Sequence, residues 1–405
     1  MSGILDGIRI LDFTQMKAGP MGTQLLADLG ADVIKVERAG TGDWERHLPI
    51  CGQFSVTGDS AFFLALNRNK RSLAIDLKAP EARSVLYRLA SASDVVVQNF
   101  RPGVLDRLGL GYADLRRLRP DLIYCSSSGY GLTGPYASRP GQDLLAQGVA
   151  GMILANGTRD HPAPTASSVA DGATALFVAI AILGAIVHRL RTGEGQHVDV
   201  DLMSSLLALE LEEVTAYLNR GADLVFERSA TGVATPWSAA PYGIYRTQDG
   251  RYLALAMNPL GKLADLLDLP ELSRYADDRS AFEHRDLIKP IIERRILEAP
   301  LAHWLELLLG ADVWCGPVNS FDEAVRDPQV VHNQLFPSFE DASGGVLRVV
   351  GTPLRYERTP PSYRRRPPRT GEHSREVLEE HGFSSAEVTA LLERGVITEP
   401  EPFQP

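Results

Sequence analysis

Asp171 is the residue of this chain whose type and setting most readily suggest chemistry. It follows Pro162-Ala-Pro-Thr-Ala-Ser-Ser-Val-Ala170 and opens the apolar run Gly172–Val187, which predicts its carboxylate at or just before a helix N-terminus. An Asp there commonly serves as a helix N-cap. A carboxylate held ionised by free amides and the helix dipole can also attack an acyl carbon. The small neighbours Gly172 and Ala173 leave room for such a substrate. A second group of residues is cationic: Lys17, Arg38, Lys78 and Arg107 each come shortly after a β-rich run. Singly they read as solvated charges, but together at one edge of a parallel sheet they would hold a phosphate-bearing cofactor.

Other patterns are weaker. Gly129-Tyr-Gly-Leu-Thr-Gly134 has GxGxxG spacing after a strand, but Pro135 follows and no amphipathic helix begins there. A nicotinamide site and a plain glycine-rich loop that lets backbone approach a ligand or another chain both remain open. Ser126-Ser-Ser128 lacks the GxSxG spacing of a nucleophile elbow. The nine histidines show no HxxxH or HExxH, so no metal is implied. Cys51, Cys125 and Cys315 are far apart and form no CxxC pair, which fits a reduced, cytoplasmic setting, and Cys315 reads as a buried small hydrophobe.

These residues need a scaffold, and the first two hundred positions supply its pattern. Short β-branched runs (Ile8–Phe13, Asp32–Glu37, Ser72–Leu77, Asp94–Gln98, Leu122–Ser126) alternate with helical patterns at Met21–Leu29 and Glu81–Ala92. The expectation is an open, doubly wound, Rossmann-like α/β domain with ligands at the carboxyl ends of its strands. The helical stretch Leu202–Leu218 leads out of it. Two β-rich segments flanking Thr247-Gln-Asp-Gly250 predict a hairpin that opens a smaller α+β domain. The proposed division is residues 1–220, 221–330 and 331–405, the last reached through an extended Pro- and Arg-rich linker at Thr359–Arg369 and ending in a helical segment, Ser374–Arg394.

At 405 residues, with 44% hydrophobic and 23% charged residues, the chain has the composition of a globular protein of two or three domains. The net charge of −10 argues against a nucleic-acid partner. The N-terminus does not read as a signal peptide, and the apolar run Ala173–Val187 is short of the roughly 20 residues that span a bilayer, so no membrane partner is expected.

Taken together, the segments resemble the class III coenzyme A transferases, a family that includes formyl-CoA:oxalate and crotonobetainyl/carnitine CoA transferases and is related to the 2-methylacyl-CoA racemases. The resemblance rests on Leu11-Asp-Phe-Thr14, Ala18-Gly-Pro20, Leu26–Glu37, Asn69-Lys-Arg-Ser72, Asp76-Leu-Lys78, Asn99-Phe-Arg-Pro-Gly103, Gly129-Tyr-Gly131, Asp171 and Thr192-Gly-Glu-Gly-Gln196. Pro241-Tyr-Gly243, Cys315–Asn319 and Gly371-Glu-His373 extend it toward the C-terminus. It implies that Asp171 is a nucleophile and that coenzyme A or acyl-CoA is bound as substrate, with no permanent cofactor. The implied CoA-binding positions are Lys17, Ala18, Arg38, Lys78, Asn99, Phe100 and Arg107.

Lys17 stands where the formyl-CoA enzyme has glutamine, and Met257–Gly261 replaces that enzyme's glycine-rich loop. Gly129, Tyr130 and Gly131 fall in the active-site region, as do Gln142 and Asp143. Similar racemases carry histidine at the position of Gln142, which favours transfer over racemisation here. The resemblance further implies a small carboxylic acid as acceptor, with succinyl-CoA as a possible donor, and an interlocked homodimer. A racemase and a non-catalytic CoA-binding protein are the alternatives.

Overall fold

The computed structural model describes residues 3–49, 55, 56, 58–221, 227–340 and 345–400; Cys51 lies outside them. The chain divides into two compact units. The first comprises residues 3–146, 168–209 and 334–400, and the second residues 147–167 and 210–333. The second unit therefore begins earlier than the expected boundary at 221 and takes in a separate excursion, 147–167.

The first unit is built on a seven-stranded sheet. Its strands are β1 (Arg9–Asp12), β2 (Asp32–Arg38), β3 (Lys70–Ile75), β4 (Val95–Gln98), β5 (Ile123–Ser128), β6 (His197–Asp201) and β7 (Ile397–Thr398). Their order is β7-β3-β2-β1-β4-β5-β6, all parallel except β7, which pairs antiparallel with β3. Leu11 lies between Ile34 and Val96 in the ladder. Starting at β1 the chain builds outward to β3, then returns to β4 on the other side. The carboxyl ends of β1 and β4 thus flank the point where strand order reverses, where open α/β sheets form a crevice for ligands.

The strands are continuous apolar runs because both faces are covered. One face of the sheet packs Leu11, Ile34, Leu73 and Val96 against Val85, Leu86 and Leu89 of α1 (Ala82–Ser91). The buried positions of α1 recur at helical spacing, and each large apolar side chain stabilises the unit by roughly 1.5–3 kcal/mol. The opposite face packs Ile10, Val33, Val97 and Cys125 against Leu26, Val178, Ile182 and Ile186. Leu26 belongs to the helix Ala18–Asp28, and the last three to the helix Val169–Thr192. These two helices approach closely: a Cβ on Gly22 would lie 2.9 Å from the carbonyl oxygen of Ala175.

Several expected elements differ in extent. The apolar run Ala173–Val187 is the middle of a 24-residue helix, long and apolar enough in itself to cross a membrane, yet half of its most apolar stretch is buried within the protein. The helix begins at Val169, because Ala170 already packs fully buried, so Asp171 is its third residue and not its cap. Leu202–Leu218 is two helices, Leu202–Leu209 and Leu211–Asn219. Ser374–Arg394 is likewise two, Ser374–Glu380 and Ser385–Glu393, separated where Gly382 adopts a left-handed φ of 78°.

The stretch Thr359–Arg369 lacks regular structure but is tied down. Asn69 donates to the carbonyl of Ser362 and accepts from the amides of Arg364 and Arg365, while the Arg364 guanidinium donates to the carbonyls of Ala27, Gly30 and Ala31.

In the second unit, Gly243–Arg246 and Tyr252–Leu255 form the expected hairpin about Gly250, which has a φ of 77°. Cys315–Pro317 adds a third antiparallel strand. This sheet packs Tyr245, Leu253 and Leu255 against Leu263, Ile288, Ile292 and Trp304, with Cys315 half-buried at the margin of that core.

Candidate active site

The crevice at the carboxyl ends of β1 and β4 is pinned by side-chain to backbone bonds. Asn99, just after β4, accepts from the Gln15 amide at 2.9 Å and donates to the Gln15 carbonyl at 2.7 Å. Phe13 continues β1 by donating its amide to Val97 at 2.8 Å. Between these clamps and the helix Ala18–Asp28, Met16 is held at a φ of 62°, a conformation rare for a residue with a side chain. Beyond the bend Ala18 lines the crevice, while Lys17 lines none of the described cavities and acts on Asp171 through its charge.

Asp171 lines a cavity of about 350 Å³ in this crevice, together with Gln15, Met16, Ala18, Asn99, Phe100, Arg101, Ser127, Ser128, Gly129, Arg139, Gly141, Gln142 and Leu202. Its amide donates to Asp143 Oδ1 at 3.1 Å, which brings two carboxylates together. Burial raises the Asp171 pKa to about 6; Asp143 adds to the rise and Lys17 opposes it. At pH 7 to 8 Asp171 is mostly ionised yet more basic than an ordinary aspartate, a combination suited to a nucleophile.

Gly129 and Gly141 explain how the loop between them reaches this cavity. Their backbones touch: a Cβ on Gly129 would lie 2.5 Å from the Cα of Gly141, and one on Gly141 would lie 2.4 Å from the Cα of Gly129. The contact closes residues 129–141 into a loop whose end delivers Arg139, Gln142 and Asp143 beside Asp171. Ser128 Oγ accepts from the Gly131 amide at 3.0 Å at its start. Tyr130 does not line the cavity; its ring stands edge-on to Tyr136, at 5.8 Å between centroids.

A second cavity of about 640 Å³ continues from the first, sharing Gln15 and Phe100. Arg38, the last residue of β2, and Lys78, just after β3, stand on its walls with Phe13, Ile75 and Leu77. Lys35, Glu37, Asp43 and Asp76 also line it, but Lys35 pairs with Asp43 and Glu37 with Arg46, whereas Arg38 and Lys78 form no ion pair among the described residues and, with the apolar lining, suit a ligand with phosphates and a flat ring. Arg107 is exposed at the end of the short helix Val104–Arg107 and lines neither cavity.

Beneath this cavity lies a buried ionic network. Lys35 Nζ donates to Asp43 at 2.8 Å and to the Thr14 carbonyl at 2.8 Å. Lys70 contacts Asp12 at 3.2 Å, and Arg46 binds Glu37 with two nitrogens at 2.7 and 2.8 Å. Burial disfavours the charge on Glu37, but Arg46 holds its pKa down to about 2. Breaking one buried pair typically costs 3–5 kcal/mol, so the network fixes the crevice floor. Another cavity of about 640 Å³, at the amino ends of the strands, is lined by Arg9, Asp32, Arg71 and Glu380, whose charges pair with one another.

Sequence patterns did not single out Arg101, Arg139 or Met16. Arg101 sits inside the quoted run Asn99–Gly103 and could have been found there. Arg139 reaches the cavity only through the Gly129–Gly141 contact, for which the sequence offers two isolated glycines and no spacing rule.

The model of CoA-transferase family III matches residues 5–374. The chain is 36% identical to succinyl-CoA:glutarate CoA-transferase of Mus musculus, over 98% of this chain and 91% of that protein. It is 36% identical to succinate–glutarate CoA-transferase of Agrobacterium fabrum, over 93% and 95% respectively. The crystal structure of a CAIB/BAIF family protein from Brucella suis superposes with a TM-score of 0.82 at 33% identity, covering 94% of this chain and all of that one.

Proposed function

As the chain belongs to CoA-transferase family III and is an enzyme that moves coenzyme A from an acyl-CoA to a carboxylic acid, we propose that Asp171 carries the acyl group and then the coenzyme A. The observation that carries this reading is an aspartate of raised pKa on the wall of a small cavity that shares Gln15 and Phe100 with a larger one bearing Arg38 and Lys78. The Asp171 carboxylate attacks the thioester carbonyl, the C–S bond breaks, and coenzyme A thiolate leaves an aspartyl–acyl anhydride. The thiolate attacks the Asp171 carbonyl carbon and expels the donor acid, leaving an aspartyl–CoA thioester. The acceptor carboxylate repeats these two steps in reverse order and restores Asp171. No proton is gained or lost, and each step exchanges one activated acyl bond for another, so the thioester's activation passes through Asp171 to the acceptor without ATP.

In this reading Arg38 and Lys78 hold phosphates of coenzyme A, with Arg107 reaching in from the surface, and Ala18, Asn99 and Phe100 line the path of its thiol arm. Backbone amides around Gly129–Gly131 are the proposed donors to the tetrahedral oxyanions. Gln142 on the cavity wall cannot cycle a proton near neutral pH, which disfavours the two-base chemistry of the related racemases. The names of the relatives, together with the small size of the Asp171 cavity, support succinyl-CoA as donor and a short dicarboxylic acid as acceptor.

The enzyme is also proposed to work as an interlocked homodimer in the cytoplasm. Supporting the dimer, Leu176, Ile180, Val187 and Leu190 are exposed along the helix Val169–Thr192.

Asp171→Ala tests the mechanism. The variant is expected to lose transfer, and hydroxylamine added to wild-type enzyme with succinyl-CoA is expected to leave a hydroxamate on Asp171. An Ala variant working at near wild-type rate would refute the assignment.

A further inference from the structure

The cavity of Asp171 carries an electrostatic problem that its own residues point toward solving. A carboxylic acid acceptor must enter, as an anion, a space lined by Asp171, with Asp143 bonded to the Asp171 amide behind it. A dicarboxylate brings a further charge. At an effective dielectric near 20, two unit charges 4 Å apart repel by about 4 kcal/mol, enough to exclude the substrate unless a cation meets it.

Two guanidinium side chains line this cavity, Arg101 and Arg139. Arg101 also borders a neighbouring cavity that contains Asp106 and His197, so its charge is divided between two spaces. Arg139 lines only the Asp171 cavity among those described. Its guanidinium carbon lies 3.6 Å from the centroid of the Tyr136 ring, a cation–π contact that restrains an otherwise exposed side chain. No carboxylate among the described residues forms an ion pair with it. Tyr136 is braced in turn by Tyr130, and the Gly129–Gly141 contact holds the whole loop closed. A planar donor group, restrained and without an anionic partner, is the arrangement that binds a carboxylate through two parallel hydrogen bonds.

We infer that Arg139 is the specificity-determining residue for dicarboxylic acids. It would hold the carboxylate remote from the reacting one, in the acceptor acid and in the acyl group of the donor alike. This inference rests on the proposal that acyl transfer occurs at Asp171. It gives a second role to a loop whose glycines would otherwise serve only to place Gln142 and Asp143. It also accounts for Tyr130 being in the active-site region without touching the cavity, since the ring supports Tyr136 beneath the guanidinium.

The test compares Arg139→Gln and Arg139→Lys with wild-type enzyme. Each is assayed with glutarate and with pentanoate, a monocarboxylate of the same chain length, and with succinyl-CoA and butyryl-CoA as donors. The expected result is that Arg139→Gln lowers the ratio of kcat/KM for di- over monocarboxylate at least tenfold, mostly through KM. Arg139→Lys should recover part of that ratio, because it restores charge without the paired donors. Affinity for free coenzyme A, measured by calorimetry, should hold in both variants. An unchanged ratio would overturn the inference, and so would a loss confined to coenzyme A affinity, which would make Arg139 a phosphate ligand. Trapping of the aspartyl–CoA thioester on wild-type enzyme by mass spectrometry is run in parallel. Its absence would count against the Asp171 mechanism, whereas its presence with an unchanged ratio would count against Arg139 alone.

Discussion

Replacing Asp171 with Asn should stabilise the protein at neutral pH while ending transfer. The carboxyl has an ordinary value of 3.8 but is pushed to about 6 in the folded chain, first by burial and then by Asp143. Two pKa units at 1.36 kcal/mol each amount to about 3 kcal/mol. Because the folded state keeps its proton to higher pH than the unfolded chain, this stabilisation is complete below pH 3.8 and is lost as the pH rises through about 6. Asn has no proton to lose and escapes the loss. The pKa difference already includes any attraction of the charge to the helix N-terminus, so the expected gain at pH 7.5 is about 3 kcal/mol. Thermal and urea unfolding at pH 7.5 and pH 4.5 would measure it. The gain should be large at the first pH and mostly gone at the second. An Asn variant less stable than wild type at pH 7.5, or a gain that does not shrink on acidification, would refute the electrostatic account of the site.

Two further outcomes are expected. Arg38→Ala should weaken acyl-CoA binding by roughly 1.5–3 kcal/mol, the range for hydrogen bonds to charged groups, without unfolding the first unit; unchanged calorimetric affinity would make Arg38 a mere surface charge. The proposed dimer should bury more than the roughly 1,600 Å² of a standard interface and persist at nanomolar concentration in sedimentation velocity, where a folded monomer would contradict it.

The parallel strands were legible because each is a short apolar run bounded by helical periodicity, as in Val95–Val97 and Ile123–Cys125. The reversal of strand order that creates the crevice was not, since it depends on which strands pair and leaves no local signature. Asp171 was visible from the apolar run that follows it, but its place was misjudged by three residues. Val169 and Ala170 carry no periodic signal alone, and they join the helix where Ala170 is fully buried. The cations Arg38 and Lys78 stood out because strand ends are read one at a time. Lys35 and Lys70 did not, being charges inside β-rich runs whose partners Asp43 and Asp12 lie at other sequence distances. The loop from Gly129 to Gly141 shows the same limit, since its geometry is set by a contact between its two ends.

The tie between Asn69 and Ser362 spans 293 residues. Beside it, β3 acquires its outer neighbour only when Ile397 and Thr398 arrive. At a synthesis rate of about 5–20 residues per second, the ribosome needs roughly 15–60 seconds to deliver these partners after β3 has emerged. For that interval the nascent sheet exposes an open edge, and Asn69 and Arg71 stand without the carbonyls and carboxylates that later satisfy them. An open edge of this kind is what strand-pairing errors and chaperones both recognise. The first unit, although it begins the chain, is therefore the last to be completed, and its assembly waits on translation rather than on the intrinsic speed of its helices and strands.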